Sequence, residues 1–236
     1  MTFGLRVVND SQAVQIDSIY RILRFKESGT AAANVTYTFS HPVTTQLAPW
    51  IFLRPSAGNN PWFLNLTIHG SAGNWTGFTV RSCYAYNTFF YAWNEGSWDF
   101  IVGAWDMTPN PGTYGMNLYD ASGQLIFTDS DRYIKLTFQF KTWVYSGTDQ
   151  DNGVKYRFYT LDLPAGAELS NPANYLLMNP YAVENFNGIE SYAEGQNMST
   201  RVIGNMNTAQ LKLVNQYGTK SSASFMAPGI IGSVSA

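Results

Sequence analysis

Apolar and polar residues alternate with a period of two along much of the chain. The clearest example is IKLTFQF at residues 134–140, in which Ile134, Leu136, Phe138 and Phe140 are the apolar positions. Successive side chains of a β-strand point to opposite faces, so this pattern predicts a strand with one buried and one solvated face. The other predicted strands, rich in β-branched and aromatic residues, are 35–39, 62–70, 77–86, 98–105, 134–145 and 154–163.

Turn-forming clusters separate these segments, among them SAGNNP, TPNPG and GTDQDNG. The only helical pattern is SNPANYLLM at 170–178, which could form a short helix capped by Ser170 or Asn171. An apolar sheet face must be covered by another layer. The sequence therefore predicts an all-β fold with little helix, in which sheets pack face to face.

One segment of the pattern occurs twice. Residues 3–21, FGLRVVNDSQAVQIDSIYR, align without gaps with residues 114–132, YGMNLYDASGQLIFTDSDR. Each copy predicts a hairpin: an alternating strand, a polar turn and a second apolar strand. Asp120 and Gly123 suit the turn of the second copy, whereas Gln12 takes the place of that glycine in the first. The repeat favours an internal duplication.

The Pro- and Gly-containing segment 106–115 lies between the two copies. We therefore expect two related β-sandwich-like units in tandem, residues 1–110 and 111–236. The second unit ends in a segment of small, uncharged and apolar residues, 221–236.

The repeated pattern resembles one found in tail proteins of tailed bacteriophages: an aromatic residue, Gly-Leu, an alternating strand, Asn or Asp, a turn, an apolar strand and Asp-Ser. The residues that carry the resemblance in the first copy are Phe3, Gly4, Leu5, Asn9, Asp17 and Ser18. The first copy departs from the pattern by lacking the turn glycine. The resemblance implies a structural component of the virion, at the tail tip, baseplate or fibre, made in the host cytoplasm. Its implied partners are other tail proteins and copies of itself.

Charge and composition narrow the function classes. The net charge is −2, and only 13% of residues are charged, without a basic stripe for nucleic acid or a polybasic membrane anchor. No apolar run approaches the roughly 20 residues that cross a bilayer. The N-terminal residues do not form a signal-peptide pattern, so we expect synthesis in a cytosol. Cys83 is the single cysteine and is expected to be a buried apolar residue.

Candidate catalytic and metal-binding residues are sparse, and we expect neither an enzyme nor a cofactor. His41 and His69 lie in no nucleophile motif. DQDNG at 149–153 resembles the start of a calcium loop, but its glycine comes one position early, which favours a turn. TDSD at 128–131 could bind a cation, and a solvated turn is the simpler interpretation. No metal is therefore predicted.

An aromatic segment, YNTFFYAWNEGSW at 86–98, offers a second hypothesis, a glycan-binding module that recognises a bacterial surface receptor. Trp93 and Trp98 are its candidate glycan contacts, and they must be exposed to serve. The alternative is that these rings belong to the sheet core. A third hypothesis, a glycoside hydrolase, depends on the nearby carboxylates Glu95, Asp99 and Asp106.

The C-terminal segment provides candidate assembly contacts. Its large apolar residues are Phe225, Met226, Ile230 and Ile231. Burying four such side chains is worth on the order of 6–10 kcal/mol before ordering costs. We expect the segment to pack on another subunit, and the alternative is that it folds back on its own chain.

Overall fold

The computed structural model describes residues 6–8, 14–17, 22–56, 62–86, 90–93, 96–105, 107–108, 115–120, 122–123, 125–140, 144–151, 154–181, 200–204, 210–217 and 229–235. The strands before residue 110 are β1 (Arg6–Val8), β2 (Val14–Asp17), β3 (Arg24–Ala32), β4 (Thr36–Val43), β5 (Trp50–Pro55), β6 (Trp62–Ser71), β7 (Asn74–Tyr86), β8 (Phe90–Trp93) and β9 (Ser97–Ala104). The later strands are β10 (Asn117–Tyr119), β11 (Leu125–Thr128), β12 (Ile134–Phe140), β13 (Val144–Asp151), β14 (Val154–Asp162), β15 (Tyr175–Leu177), β16 (Thr200–Gly204), β17 (Gln210–Tyr217) and β18 (Gly229–Val234).

The all-β prediction is confirmed for the described residues. Their only helical element is a short 3-10 turn at Asn179–Tyr181. The helix considered for 170–178 is wrong, since Asn171 and Asn174 bind turn backbone and Tyr175–Leu177 forms a strand. No helix among the described residues is long and apolar enough to cross a membrane.

The described strands form four sheets. Two are separate two-stranded hairpins, β1–β2 and β10–β11, called here the first and second hairpins. A six-stranded sheet has the order β12-β18-β15-β5-β9-β3, and an eight-stranded path includes β13-β14-β17-β16-β6-β7-β4, with β8 paired to β7. The main core between the large sheets contains Phe63, Phe78, Phe100 and Val102, all buried.

The repeat is confirmed at the level of backbone pairing. Arg6 pairs with Asp17 in the first hairpin, and Asn117 pairs with Thr128 at the same register in the second, 111 residues later. Both hairpins also contain an irregularity at the same place, after Val7 and after Leu118. The described strands of the two segments therefore pair alike in spite of few identical residues.

The correspondence continues beyond the hairpins. Strand β3 has a bulge between Phe25 and Glu27, and β12 has one between Leu136 and Phe138, again 111 residues apart. The partners of the first residue in each pair are Gly103 and Gly232. These two glycines pair in turn with Trp50 and Tyr175 on the central strands. Strands β3, β5 and β9 thus correspond to β12, β15 and β18.

This correspondence makes the strand order of the six-stranded sheet a palindrome about the β5–β15 junction. The eight-stranded sheet has a matching junction at β6–β16, where Phe63 pairs with Val202. Both large sheets therefore combine strands from before and after residue 110. The division into two tandem sandwiches is not confirmed, because neither large sheet is confined to one half.

The six-stranded sheet curls until its edge strands meet. Arg24 of β3 forms a β-bridge with Tyr133, and the amide of Ile134 donates to the carbonyl of Leu23 at 2.9 Å. The curled sheet surrounds a second apolar group, called here the enclosed cluster. Its members are Leu23, Phe25, Trp50, Phe52, Ile101, Trp105, Ile134, Tyr175, Leu177, Ile230 and Val234. All but Phe25 form corresponding pairs, for example Leu23 with Ile134 and Phe52 with Leu177.

Candidate functional site

The second hairpin is the best-described copy of the motif. The Asp120 carboxylate accepts hydrogen bonds from the Ser122 amide at 2.8 Å and from its hydroxyl at 2.6 Å. Gly123 has a φ of +81° and donates its amide to the Asp120 carbonyl. The predicted roles of Asp120 and Gly123 are therefore confirmed, whereas Asn9 and Gln12 of the first hairpin lie outside the described residues.

The glycine of the aromatic-Gly pair has a steric role. Gly115 has a φ of +112°, a region that favours glycine. A side chain here would meet the Asp129 carboxylate, which lies directly beside the Gly115 backbone. The Asp129 amide donates to the Met116 carbonyl at 3.2 Å and so closes the base of the hairpin. Gly4 holds the corresponding position in the first copy and is outside the described residues.

The outer edge of β11 is occupied by the chain itself. The Thr128 amide donates to the Tyr133 hydroxyl at 3.2 Å, and that hydroxyl donates to the Thr128 carbonyl. The Tyr133 ring stacks on Phe127, with ring centres 5.2 Å apart. Thr128 is fully buried. This edge of the hairpin is therefore sealed against the segment that leads into β12.

Arg24 fixes the second hairpin to the six-stranded sheet. Its guanidinium is 3.3 Å from the Asp131 carboxylate and donates to the carbonyls of Met107, at 2.9 Å, and Ile126. The side chains of Arg24 and Asp131 are 7% and 14% exposed. A buried charge requires such partners, because desolvation would otherwise be costly. The guanidinium therefore holds together three separate parts of the chain.

Arg132 strengthens the same attachment. Its carbonyl accepts the Phe25 amide at 2.9 Å, and its guanidinium carbon lies 4.5 Å from the centre of the Phe25 ring. Leu136, the residue of β12 that corresponds to Phe25, is 47% exposed and belongs to neither core. The two halves thus have the same backbone pairing but different side chains, Phe25 and Leu136, at corresponding positions of β3 and β12.

Burial raises the pKa of the Tyr133 phenol above its ordinary value of 10.0, and the negative charge of Asp131 raises it further. The folded protein therefore keeps this proton at a pH at which the unfolded chain has lost it. Stability linked to Tyr133 is complete below pH 10 and is lost as the pH rises through the folded-state pKa.

Replacing Tyr133 with phenylalanine should lower the free energy of unfolding by about 1–3 kcal/mol at pH 7, because buried groups of Thr128 lose their partner. The same change should reduce the loss of stability between pH 9 and 11. Urea unfolding at several pH values measures both effects. Tyr119→Phe, an exposed change on the same hairpin, is the control. A mutant with the parent's alkaline profile would contradict this role.

Of the two candidate glycan contacts, Trp98 has a described side chain, and that side chain is buried. Trp98 is 3% exposed, its ring packs edge-on against Phe63, and its indole nitrogen donates to the Ser82 hydroxyl at 3.2 Å. It is a core residue and presents no ring face to a sugar. The glycan hypothesis required an exposed Trp98 and is wrong for this residue, whereas the alternative, that the ring belongs to the sheet core, is confirmed. The Trp93 and Cys83 side chains lie outside the described residues.

The carboxylates considered for hydrolysis are not assembled in the described structure. Asp99 accepts hydrogen bonds from Thr30, Arg54 and Ser56, at 3.0, 2.8 and 2.8 Å. These contacts make it one partner of an ion pair across neighbouring strands. Glu95 and Asp106 lie outside the described residues.

The metal candidates also have structural partners. Within TDSD, Asp131 binds Arg24, and the Thr128 hydroxyl is 2.8 Å from that of Ser130. The first three residues of DQDNG end β13 and pair with the start of β14. The described residues contain no group of three or more His, Cys, Asp or Glu side chains suited to a metal. His69 contacts the Thr79 hydroxyl at 2.7 Å.

The C-terminal segment folds back on its own chain where it is described. Strand β18 lies between β12 and β15, and Ile231 is fully buried in the main core. Ile230 packs against the enclosed cluster. The expected subunit contact is therefore wrong for Ile231, which has no exposed surface, and both residues follow the alternative in which the segment folds back on its own chain. Phe225 and Met226 lie outside the described residues.

Sequence reasoning missed Arg24, Arg132 and Tyr133 as the residues that attach the hairpin. An available signal was the contrast between the two copies, since Asp131 stands where the first copy has Tyr20. This difference in charge marks a position at which the two copies have different surroundings, and in the structure the partner is Arg24.

Comparison with known proteins gives no further assignment: no family model, curated protein or solved structure matches this chain.

Proposed function

We propose that this protein is a structural component of a bacteriophage tail, at the tip, baseplate or fibre, and that it acts through assembly. The observation that supports the proposal best is the structure of the repeated motif that resembles phage tail proteins. It folds twice into a hairpin with the same register and the same irregularity, and both hairpins stand apart from the large sheets. A separate hairpin that is attached to the main body, as the second hairpin is through Arg24, is suited to contact a neighbouring subunit.

The proposed role is mechanical and requires no catalytic turnover. The Arg24 contacts attach the second hairpin to the sheet through a buried cation, so force on the hairpin passes into the main body. The curled sheet and the shared cores join the two halves into one unit. The proposed partners are other tail proteins and copies of this chain, and the proposed location is the virion, after synthesis in the host cytoplasm.

The proposal predicts that this chain is a stoichiometric part of tailed particles. Gradient-purified particles from a producing culture should contain it in fixed ratio to the other tail proteins by quantitative mass spectrometry. Antibody labelling should mark the tail end in electron micrographs. A deletion should yield filled heads without functional tails, with recovery by the gene supplied in trans. A chain abundant in the lysate and absent from particles would refute the proposal.

A further inference from the structure

The second hairpin has one sealed edge and one edge without a strand partner in the described part of the chain. Met116 and Asp129 form a hydrogen-bonded pair, so the next pair, Asn117 and Thr128, directs its amides away from the hairpin. On the β11 side, the outward amide and carbonyl of Thr128 bind the Tyr133 hydroxyl, and the carbonyl of Ile126 binds Arg24. On the β10 side, the described strands provide no counterpart for Asn117.

Apolar side chains accompany this edge. Met116 is 41% exposed and Tyr119 is 56% exposed, and none of the residues of β10 or β11 belongs to either core. A two-stranded sheet is only marginally stable in water, and a third strand supplies both hydrogen bonds and cover. Proteins usually protect an exposed edge of this kind, because it is a template for strand pairing.

The first hairpin provides a matching edge. Strand β1 corresponds to β10 in length, register and irregularity, so Arg6 and Val8 direct their outer amides as Asn117 and Tyr119 do. In the described residues β1 pairs only with β2, and it does not pair with β10 of the same chain. Two edges of the same form, separate within one chain, can meet between chains.

We propose that β10 of one copy pairs antiparallel with β1 of a second copy, which joins two hairpins into a four-stranded sheet. With Val7 opposite Leu118, the outward amides coincide: Arg6 faces Tyr119 and Val8 faces Asn117. Arginine beside a tyrosine ring adds a cation–π attraction that pairing of β10 with another β10 lacks. The inference deepens the proposed tail function and rests on it for its biological setting.

The symmetry of such a contact has a consequence for assembly. Because β1 and β10 are different surfaces, each copy uses both of them, and the contact runs head to tail. Head-to-tail contacts close into rings or continue as filaments. A closed ring leaves neither hairpin edge unpaired.

Disulfide trapping between two single-cysteine proteins tests the pairing. In a Cys83→Ala background, one protein carries Val8→Cys and a second, of different mass through a tag, carries Asn117→Cys. Directly paired residues in this register lie about 5.5 Å apart between Cα atoms, which suits a disulfide. After mixing and oxidation with oxidised glutathione, we expect the mixed dimer to exceed either like-with-like dimer at least fivefold.

The controls decide between the alternatives. Leu47→Cys, an exposed position on the main body, measures random collision. Mixed dimers no more frequent than with Leu47→Cys would overturn the proposal, as would a predominance of like-with-like dimers. A chain carrying both cysteines that forms mainly an internal disulfide would also overturn it. These outcomes leave the presence of the chain in particles, and so the proposed function, untouched.

Asn117→Pro provides an independent measurement. It removes the outward amide donor and none of the hydrogen bonds within the hairpin. At micromolar concentration, we expect light scattering to show oligomers for the parent protein and monomers for the variant. The variant should have the same melting temperature as the dissociated parent protein. Oligomers that persist in the variant would contradict strand pairing at β10.

Discussion

Replacing Arg24 with methionine should lower the free energy of unfolding by about 3–5 kcal/mol, the cost typical of breaking a buried ion pair from one side. The substitution removes the guanidinium that contacts the Asp131 carboxylate and the carbonyls of Met107 and Ile126. Urea denaturation followed by circular dichroism measures the effect. Asp131→Asn in the mutant should recover part of the loss, because it removes the carboxylate charge that the guanidinium contacted.

The duplication supplies a matched control for this experiment. Lys135 holds the position of β12 that corresponds to Arg24 and is exposed. Lys135→Met removes a cation from the same place in the other half and should change stability by no more than about 0.5 kcal/mol. Equal losses in the two variants would show that the buried contacts of Arg24 do not determine its contribution.

Replacing Phe52 with alanine should cost about 3–5 kcal/mol, since this fully buried ring fills the centre of the enclosed cluster. It pairs across the central junction with Leu177 and lies beside Gly232. Thermal and urea unfolding should still show one cooperative transition, because the cluster draws residues from both halves. Leu47→Ala, at an exposed site, is the control for side-chain truncation.

Gly232 provides a sharper test of the same packing. A methyl group on it would lie 2.6 Å from the Phe52 ring and 3.0 Å from Ile134. Gly232→Ala should therefore destabilise the protein by about 1–3 kcal/mol. In the Phe52→Ala background the methyl group enters the vacated space, so the two losses should be far less than additive. Additive losses would show that the ring and the glycine do not share this space.

The hairpins were predictable because their information is local. An alternating strand, an Asp that binds its own turn and a glycine at positive φ determine the second hairpin within a short segment. The repeat then transferred the same interpretation to the first hairpin. The attachment through Arg24 was not predictable, since its partners come from distant parts of the chain.

The alternation at 134–140 shows where period-two reasoning fails. It placed Ile134, Leu136 and Phe138 on one face. The irregularity between Leu136 and Phe138 changes the side that later residues face, so Ile134 enters the enclosed cluster while Phe138 packs against the main core. Leu136 is left exposed. The pattern of apolar residues does not reveal a bulge. The bulge at the corresponding place in β3 shows that this one belongs to the duplicated backbone.

The same limitation applies to Trp98 and to the C-terminal strand. A buried strand and an exposed aromatic segment can have equal composition, so the sequence left both interpretations open for Trp98. Ile231 is buried because β18 pairs between β12 and β15, and this position in the sheet exists only in the folded chain. The joining of the halves into shared sheets likewise depends on pairing across more than a hundred residues.

The two central junctions affect the order in which this protein can mature on the ribosome. Leu53 pairs with Leu176, and Phe63 pairs with Val202. Strands β5 and β6 therefore lack these partner strands until the ribosome has synthesised the later residues. At translation rates of about 5–20 residues per second, these edges stay open for roughly 6–30 s. During that time a nascent first half can pair with the first half of a neighbouring chain on the same message. Expression yield should therefore depend on chaperone supply and on spacing between ribosomes more than on the stability of the finished molecule.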